Sequence, residues 1–291
     1  MTIKFQLGIL TCVLVSDLFV AVSPAFTLEK SGRVEVEEGQ PPPVQFSLAV
    51  SDFVQNTSFR ARPDNTGLVK YRYLGHLEIQ PHWSPVALVL DTNFFTDKEQ
   101  SNEFRPSEWD QAIGFLYRYQ ELAALLRYER DMPIDKSGLV QAFGEIQGLW
   151  NHNDLLIKDS QFYAAIGWLF STQTYFARPD NTGRALFRYV LHGEMPVYWE
   201  WLWLIGDTNF FTDRRSNGIA PSELDWIVGV AVRWKAWELM GFQETDQALD
   251  RGGLSQKYIA IQLKWMWDKK PSSPEIHTRG FSPTNLAQQF P

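Results

Sequence analysis

The feature that most constrains this chain is that it is written twice. Ala61-Arg62-Pro63-Asp64-Asn65-Thr66-Gly67 recurs unchanged as Ala177 to Gly183, and Asp91-Thr92-Asn93-Phe94-Phe95-Thr96-Asp97 recurs as Asp207 to Asp213. Both copies lie 116 positions downstream, and Pro106-Ser107-Glu108 returns 115 positions later as Pro221-Ser222-Glu223. Two seven-residue identities in one frame, followed by a one-residue gap, imply a unit duplicated whole. Repeats of this length point to stacked or closed architectures made of equal parts.

Inside each unit, apolar and polar residues alternate with period two, the pattern of strands with one wet and one apolar face. The alternation predicts strands over 44–60, 68–80, 84–96, 107–119, 121–131 and 138–150, and again over 160–176, 184–195, 198–212, 222–234, 236–245 and 254–267. Such segments exceed the usual five or six residues of soluble strands. They are long enough to cross a bilayer when tilted. The connections alternate too. Arg62–Gly67, Asp97–Arg105 and Asp131–Ser137 are long and polar, whereas Pro81–Ser84, Tyr119–Glu121 and Met195–Tyr198 read as tight links. Long loops on one rim and short turns on the other is the outer-membrane pattern. The Asn151–Asp154 junction carries no Pro/Ser-rich linker, so one domain is expected.

The faces can be assigned from the strands themselves. Trp226, Val228, Val230, Val232 and Trp234 share one face of the tenth strand, opposite Asp225, Gly229, Ala231 and Arg233. In the last strand Ile259, Ile261, Leu263, Trp265 and Trp267 share a face opposite Tyr258, Ala260, Gln262, Lys264 and Met266. An apolar row ending in Trp is the mark of a lipid-facing strand with an aromatic girdle. The chain's 12 Trp, 10 Tyr and 20 Phe fit that setting. A soluble twelve-stranded barrel would be too wide to fill, since eight strands already fill tightly. The soluble alternative is two six-stranded barrels or sandwiches in tandem. The fold class expected is therefore all-β: a single 12-stranded antiparallel transmembrane β-barrel made of two six-stranded repeats, 44–150 and 160–267.

Residues 1–25 read as a signal peptide, with Lys4, an apolar stretch from Phe5 to Val22, and Ser23-Pro24-Ala25 as the cleavage site. Residues 26–43 are expected to be a periplasmic segment and 268–291 a Pro-rich tail. Cys12, the only cysteine, falls in the signal, so disulfides, thiolate metal sites and Cys nucleophiles are excluded from the mature chain. The net charge of −7, with no clustered basic surface, argues against nucleic acid as a partner.

On these residues the mature chain resembles bacterial outer-membrane β-barrels in general. Trp265-x-Trp267 looks like the aromatic-x-aromatic end of the insertion signal such proteins carry. It departs from that pattern in the tail after Trp267 and in having Gln262 where a Gly is usual. The resemblance implies residence in the bacterial outer membrane, with outer-membrane lipid as the surrounding partner.

The rows opposite the apolar ones carry matched charges. Lys70, Arg72, His76 and Glu78 share a face, and their counterparts are Arg188, His192 and Glu194; Asp110, Gly114 and Arg118 match Asp225, Gly229 and Arg233. In a ring of twelve the second and eighth strands face one another, across roughly 24 Å of backbone. Two readings stay open. These residues form neighbouring-strand ion pairs that satisfy a polar interior, or they form a mixed-charge constriction that passes small polar solutes. No cofactor is expected. His76-x-Glu78 with His192-x-Glu194, or Asp91-x-Asn93 with Asp97, are weak as metal sites because each wall offers too few ligands or lacks a glycine turn. A lipid-modifying enzyme would need a His beside a nucleophile or carboxylate, and there is no Gly-x-Ser-x-Gly elbow. The repeated Arg-Pro-Asp-Asn-Thr-Gly loop is accounted for by turn chemistry alone. The main functional expectation is a small channel for polar solutes; the alternatives are an outer-membrane lipid-modifying enzyme and a closed structural or binding barrel.

Overall fold

The computed structural model describes residues 44–81, 84–172, 174–198, 201–215 and 218–267. The expected signal peptide, the 26–43 segment and the 268–291 tail lie outside the described residues, as does His82.

Twelve strands follow one another: β1 (Val44–Asn56), β2 (Val69–Ile79), β3 (Val86–Asp97), β4 (Pro106–Tyr119), β5 (Leu122–Pro133), β6 (Gln141–Asn153), β7 (Gln161–Phe170), β8 (Ala185–Tyr198), β9 (Leu202–Asp213), β10 (Pro221–Trp234), β11 (Trp237–Ala248) and β12 (Ser255–Trp267). Each pairs with its chain neighbours, and β1 pairs antiparallel with β12, closing the barrel. Closure leaves no sheet edge with unpaired backbone groups, which is the condition for crossing a bilayer with strands. The fold class is the one expected from the alternation.

The alternation also sets the faces. Val228, Val230, Val232 and Trp234 of β10 and Ile261, Leu263 and Trp267 of β12 are exposed. Asp225, Ala231, Tyr258, Ala260, Gln262 and Met266 are buried on the inner side. Around the short-turn rim Tyr117, Tyr119, Trp150, Trp201, Trp234, Trp237 and Trp267 all point outward. A contiguous apolar belt of this extent has no place on a water-soluble monomer; it is the lipid face of an outer-membrane barrel, bounded by an aromatic girdle. Gln120 and Lys235, with φ of 54° and 52°, give matched tight turns on that rim.

Several boundaries differ from expectation for identifiable reasons. β1 and β7 stop at Asn56 and Phe170, because the chain then leaves the wall; the Asn56 amide donates to the Phe59 and Val69 carbonyls at 2.9 Å each and fixes the exit. Met195–Tyr198 belongs to β8, with an irregularity between Pro196 and Tyr198, so the turn comes later than the sequence pattern placed it. A bulge between Val69 and Arg72 turns Lys70 out of the lumenal row. Its ammonium instead meets Asp52 at 2.6 Å, on the β1 face that exposes Leu48, Val50 and Val54.

Candidate functional site

Lys70 aside, the charged residues singled out on the inner rows face the lumen, and their ion pairs join neighbouring strands or reach across one strand to the next but one. Arg118 donates to both oxygens of Glu78, at 2.6 and 2.8 Å. His76 Nδ1 lies 2.6 Å from Asp91. In the second half Arg233 bridges Glu194 at 2.5 Å and Glu238 at 2.7 Å while stacking on Trp203. His192 Nδ1 lies 2.8 Å from Asp207, and its Nε2 lies 3.3 Å from Glu194. Arg72 sits among the rings of Phe53, Phe95 and Phe242. Its counterpart Arg188 is fully buried and reaches past Gly167 to Glu145 on β6, at 2.6 Å. Glu145 also forms an ion pair with Arg127, at 3.0 Å. Gly167 leaves the room for the Arg188–Glu145 pair, since a Cβ would lie 2.0 Å from Glu145 Oε1 and displace the carboxylate.

The lumen is not a bare conduit. Ala87, Val89, Leu116, Leu125, Leu149, Tyr163 and Val190 pack together across β3 to β8. On the opposite side Phe53, Phe59, Phe95, Phe242 and Tyr258 form an aromatic cluster.

The most informative contacts involve residues that sequence reasoning assigned to turn chemistry. Loop 57–68 and the described residues of 171–184 leave opposite walls and fold inward over the long-loop mouth. Each is anchored by an aromatic: Phe59 lies 4.7 Å from the Tyr258 ring and Tyr175 lies 4.2 Å from Phe143. The turn chemistry is as expected, with positive φ at Asn65 (60°), Gly67 (70°), Asn181 (58°) and Gly183 (71°). The tips then meet. Asn65 Nδ2 donates to the Pro179 carbonyl at 2.9 Å, and Asn181 Nδ2 donates to the Pro63 carbonyl at 2.8 Å. Gln256 donates to Asn65 Oδ1 at 3.3 Å and Gln141 to Asn181 Oδ1 at 3.1 Å. The two loops therefore clasp each other and are tied to the walls of the opposite half.

Behind each tip an arginine locks the loop down. Arg62 donates to Asp97 at 2.8 Å and to Asp135; Arg178 donates to Asp213 at 2.9 Å and to Asp250. Asp97 and Asp213 end the second repeated heptapeptide, so the two repeated motifs are partners in the fold. Burial pushes the Asp135 carboxyl up, but the Arg62 hydrogen bond and charge outweigh it and leave it below the usual carboxylate range. The Arg178 hydrogen bond holds Asp250 low in the same way. Both arginines are correspondingly raised, chiefly by those same hydrogen bonds. Gly67 and Gly183 are glycines for a second reason besides φ: a Cβ would strike the guanidinium, at 2.3 and 2.0 Å.

Beneath the clasp is a cavity of about 110 Å³ whose walls include Glu108, Asp131, Gln141, Glu223, Asp246 and Gln256. The sequence signal for the clasp was present: turn geometry requires Pro, Asn and Gly, but it does not require an Arg in one repeated motif and an Asp in the other.

No protein-family model matches the chain, and no curated protein does. Among solved structures it is similar to an outer membrane channel from Pseudomonas putida F1, at 8% identity and a TM-score of 0.46, over 81% of this chain and 100% of that one. It is also similar to the translocator domain of the autotransporter NalP from Neisseria meningitidis (8% identity, TM-score 0.37, 80% and 90% covered). A third is CdiB from Acinetobacter baumannii (7% identity, TM-score 0.36, 78% and 60% covered). At these identities and scores the likeness is one of barrel architecture and goes no further.

Proposed function

We propose that this outer-membrane barrel is a gated channel for small polar solutes, closed in the state described, with the two clasped loops as its gate. The carrying observation is a polar interior capped by loops. Side-chain atoms of Gln147, Glu129, Asn93, Asn209 and Asp246 are buried without a hydrogen-bond partner among the described residues. Buried polar atoms of this kind require water. What separates that interior from the mouth is a pair of loops, the elements that proteins move most readily, rather than the wall.

A second reading, the closed structural or binding barrel, is favoured by the packed apolar cluster across β3 to β8. Planar-bilayer recording separates the two. Wild-type protein in the closed state should show rare, small openings, whereas Arg62→Ala combined with Arg178→Ala should give frequent, larger ones. Silence from both proteins, each shown to be folded, would sink the channel reading and leave the closed barrel.

A further inference from the structure

The carboxylates below the clasp are arranged in a way that the channel reading does not use. On β3, β4 and β5, Asn93, Asp110 and Asp131 lie side by side in register. On β9, β10 and β11, Asn209, Asp225 and Asp246 repeat that row. All six are buried, none more than 5% exposed. Glu108 and Glu223 stand one turn of the pleat above, each close to the Asp two positions on. None of these six carboxylates is in an ion pair at contact distance among the described residues, the arginines near them acting only from further off, in contrast to Asp97, Asp213, Glu78 and Glu145.

Buried charges without partners are unstable: they must be paired, hold a cation or take up protons. Two observations beyond the charges point to a cation. Asn93, fully buried, has neither its amide nitrogen nor its carbonyl oxygen hydrogen-bonded, and it lies directly across from Asp110. The cavity under the clasp, with room for several waters, is bordered by Asp131, Asp246, Glu108 and Glu223 from both halves. The donors are oxygens only, the set that suits hard cations. Among the described residues no three acidic or imidazole groups converge on one point. The ion would therefore keep its waters and be held through them, as magnesium tends to be.

We propose that Asp131, Asp246, Glu108 and Glu223, backed by the rest of the two Asn-Asp-Asp rows, line a chamber that binds hydrated divalent cations directly beneath the clasp. This does not depend on the barrel being a channel. Folded wild-type protein in detergent is titrated with magnesium chloride by calorimetry, at constant ionic strength maintained with potassium chloride, and then with calcium chloride. Saturable binding is expected, weakened about tenfold or more in Asp131→Asn combined with Asp246→Asn, because affinity in such sites follows the ligand charge. Glu108→Gln with Glu223→Gln serves as the second variant should the first fail to fold.

Absence of saturable binding to wild-type protein would overturn the proposal; the carboxylates would then be satisfied by shared protons. Binding unchanged in a folded variant would also overturn it, by placing the ion elsewhere. Bilayer recording is read separately. Cation binding in a silent barrel leaves the chamber standing without the channel, and conductance without binding does the reverse.

Discussion

At the residue scale the clasp turns on two arginines. Arg62 and Arg178 are almost fully buried, with side chains 5% and 3% exposed, and each satisfies two aspartates. Removing one partner of a buried pair leaves an uncompensated charge and costs about 3–5 kcal/mol. Arg62→Ala should therefore lower stability by that order, measured by urea unfolding in detergent; a change below about 0.5 kcal/mol, typical of surface substitutions, would show that the pairs are not holding the loop. The pH dependence follows from the same contacts. Asp135 and Asp250 have carboxyls below their ordinary range, so their contribution is complete above the unfolded value of about 3.9 and is lost only as pH falls through the lower folded value. Protease access to the loop tips should then stay constant between pH 7 and 5 and rise only below about 4. A rise near pH 6 would mean that some other group holds the loops.

At the scale of strands and loops, the walls were legible and the mouth was not. Period-two alternation placed all twelve strands because every strand lies between two unlike media, and a slip of one residue would exchange them. The failures sit where that contrast vanishes. Phe59 and Tyr175 continue an apolar pattern past the ends of β1 and β7, yet they serve as anchors inside the barrel, where apolar burial is equally favourable. Lys70 leaves its row because a bulge adds a residue, which no alternation reveals. Ion pairs that cross a strand are equally invisible: Arg188 on β8 meets Glu145 on β6 only because Gly167 between them has no side chain. Glu145→Ala should cost about 3–5 kcal/mol, since Arg188 loses the carboxylate it meets at 2.6 Å and Arg127 keeps only Glu129, at 3.6 Å. Equal stability of variant and wild type in urea titration would contradict the pairing.

For the molecule as a whole, the sequence showed that two halves share a frame but not what they share it for. The charged rows were found because they alternate; their partners one or two strands away, and the clasp between opposite walls, depend on ring closure and on loops bending inward. Away from the mouth the halves have drifted. Arg127 and Glu145 of one half stand where Phe242 and Ala260 stand in the other. The Ala61–Gly67 heptapeptide and its copy have not drifted, and the reciprocal bonds between Asn65 and Asn181 and each other's proline carbonyls give a reason. Each copy is the other's binding partner, so a substitution in either one disturbs two environments at once. Elsewhere a change in one half can be absorbed by its own neighbours; here it must be matched across the lumen. Two stretches of a chain that recognise one another in this way evolve as a single locus, and they stay alike long after the frames that carry them have parted.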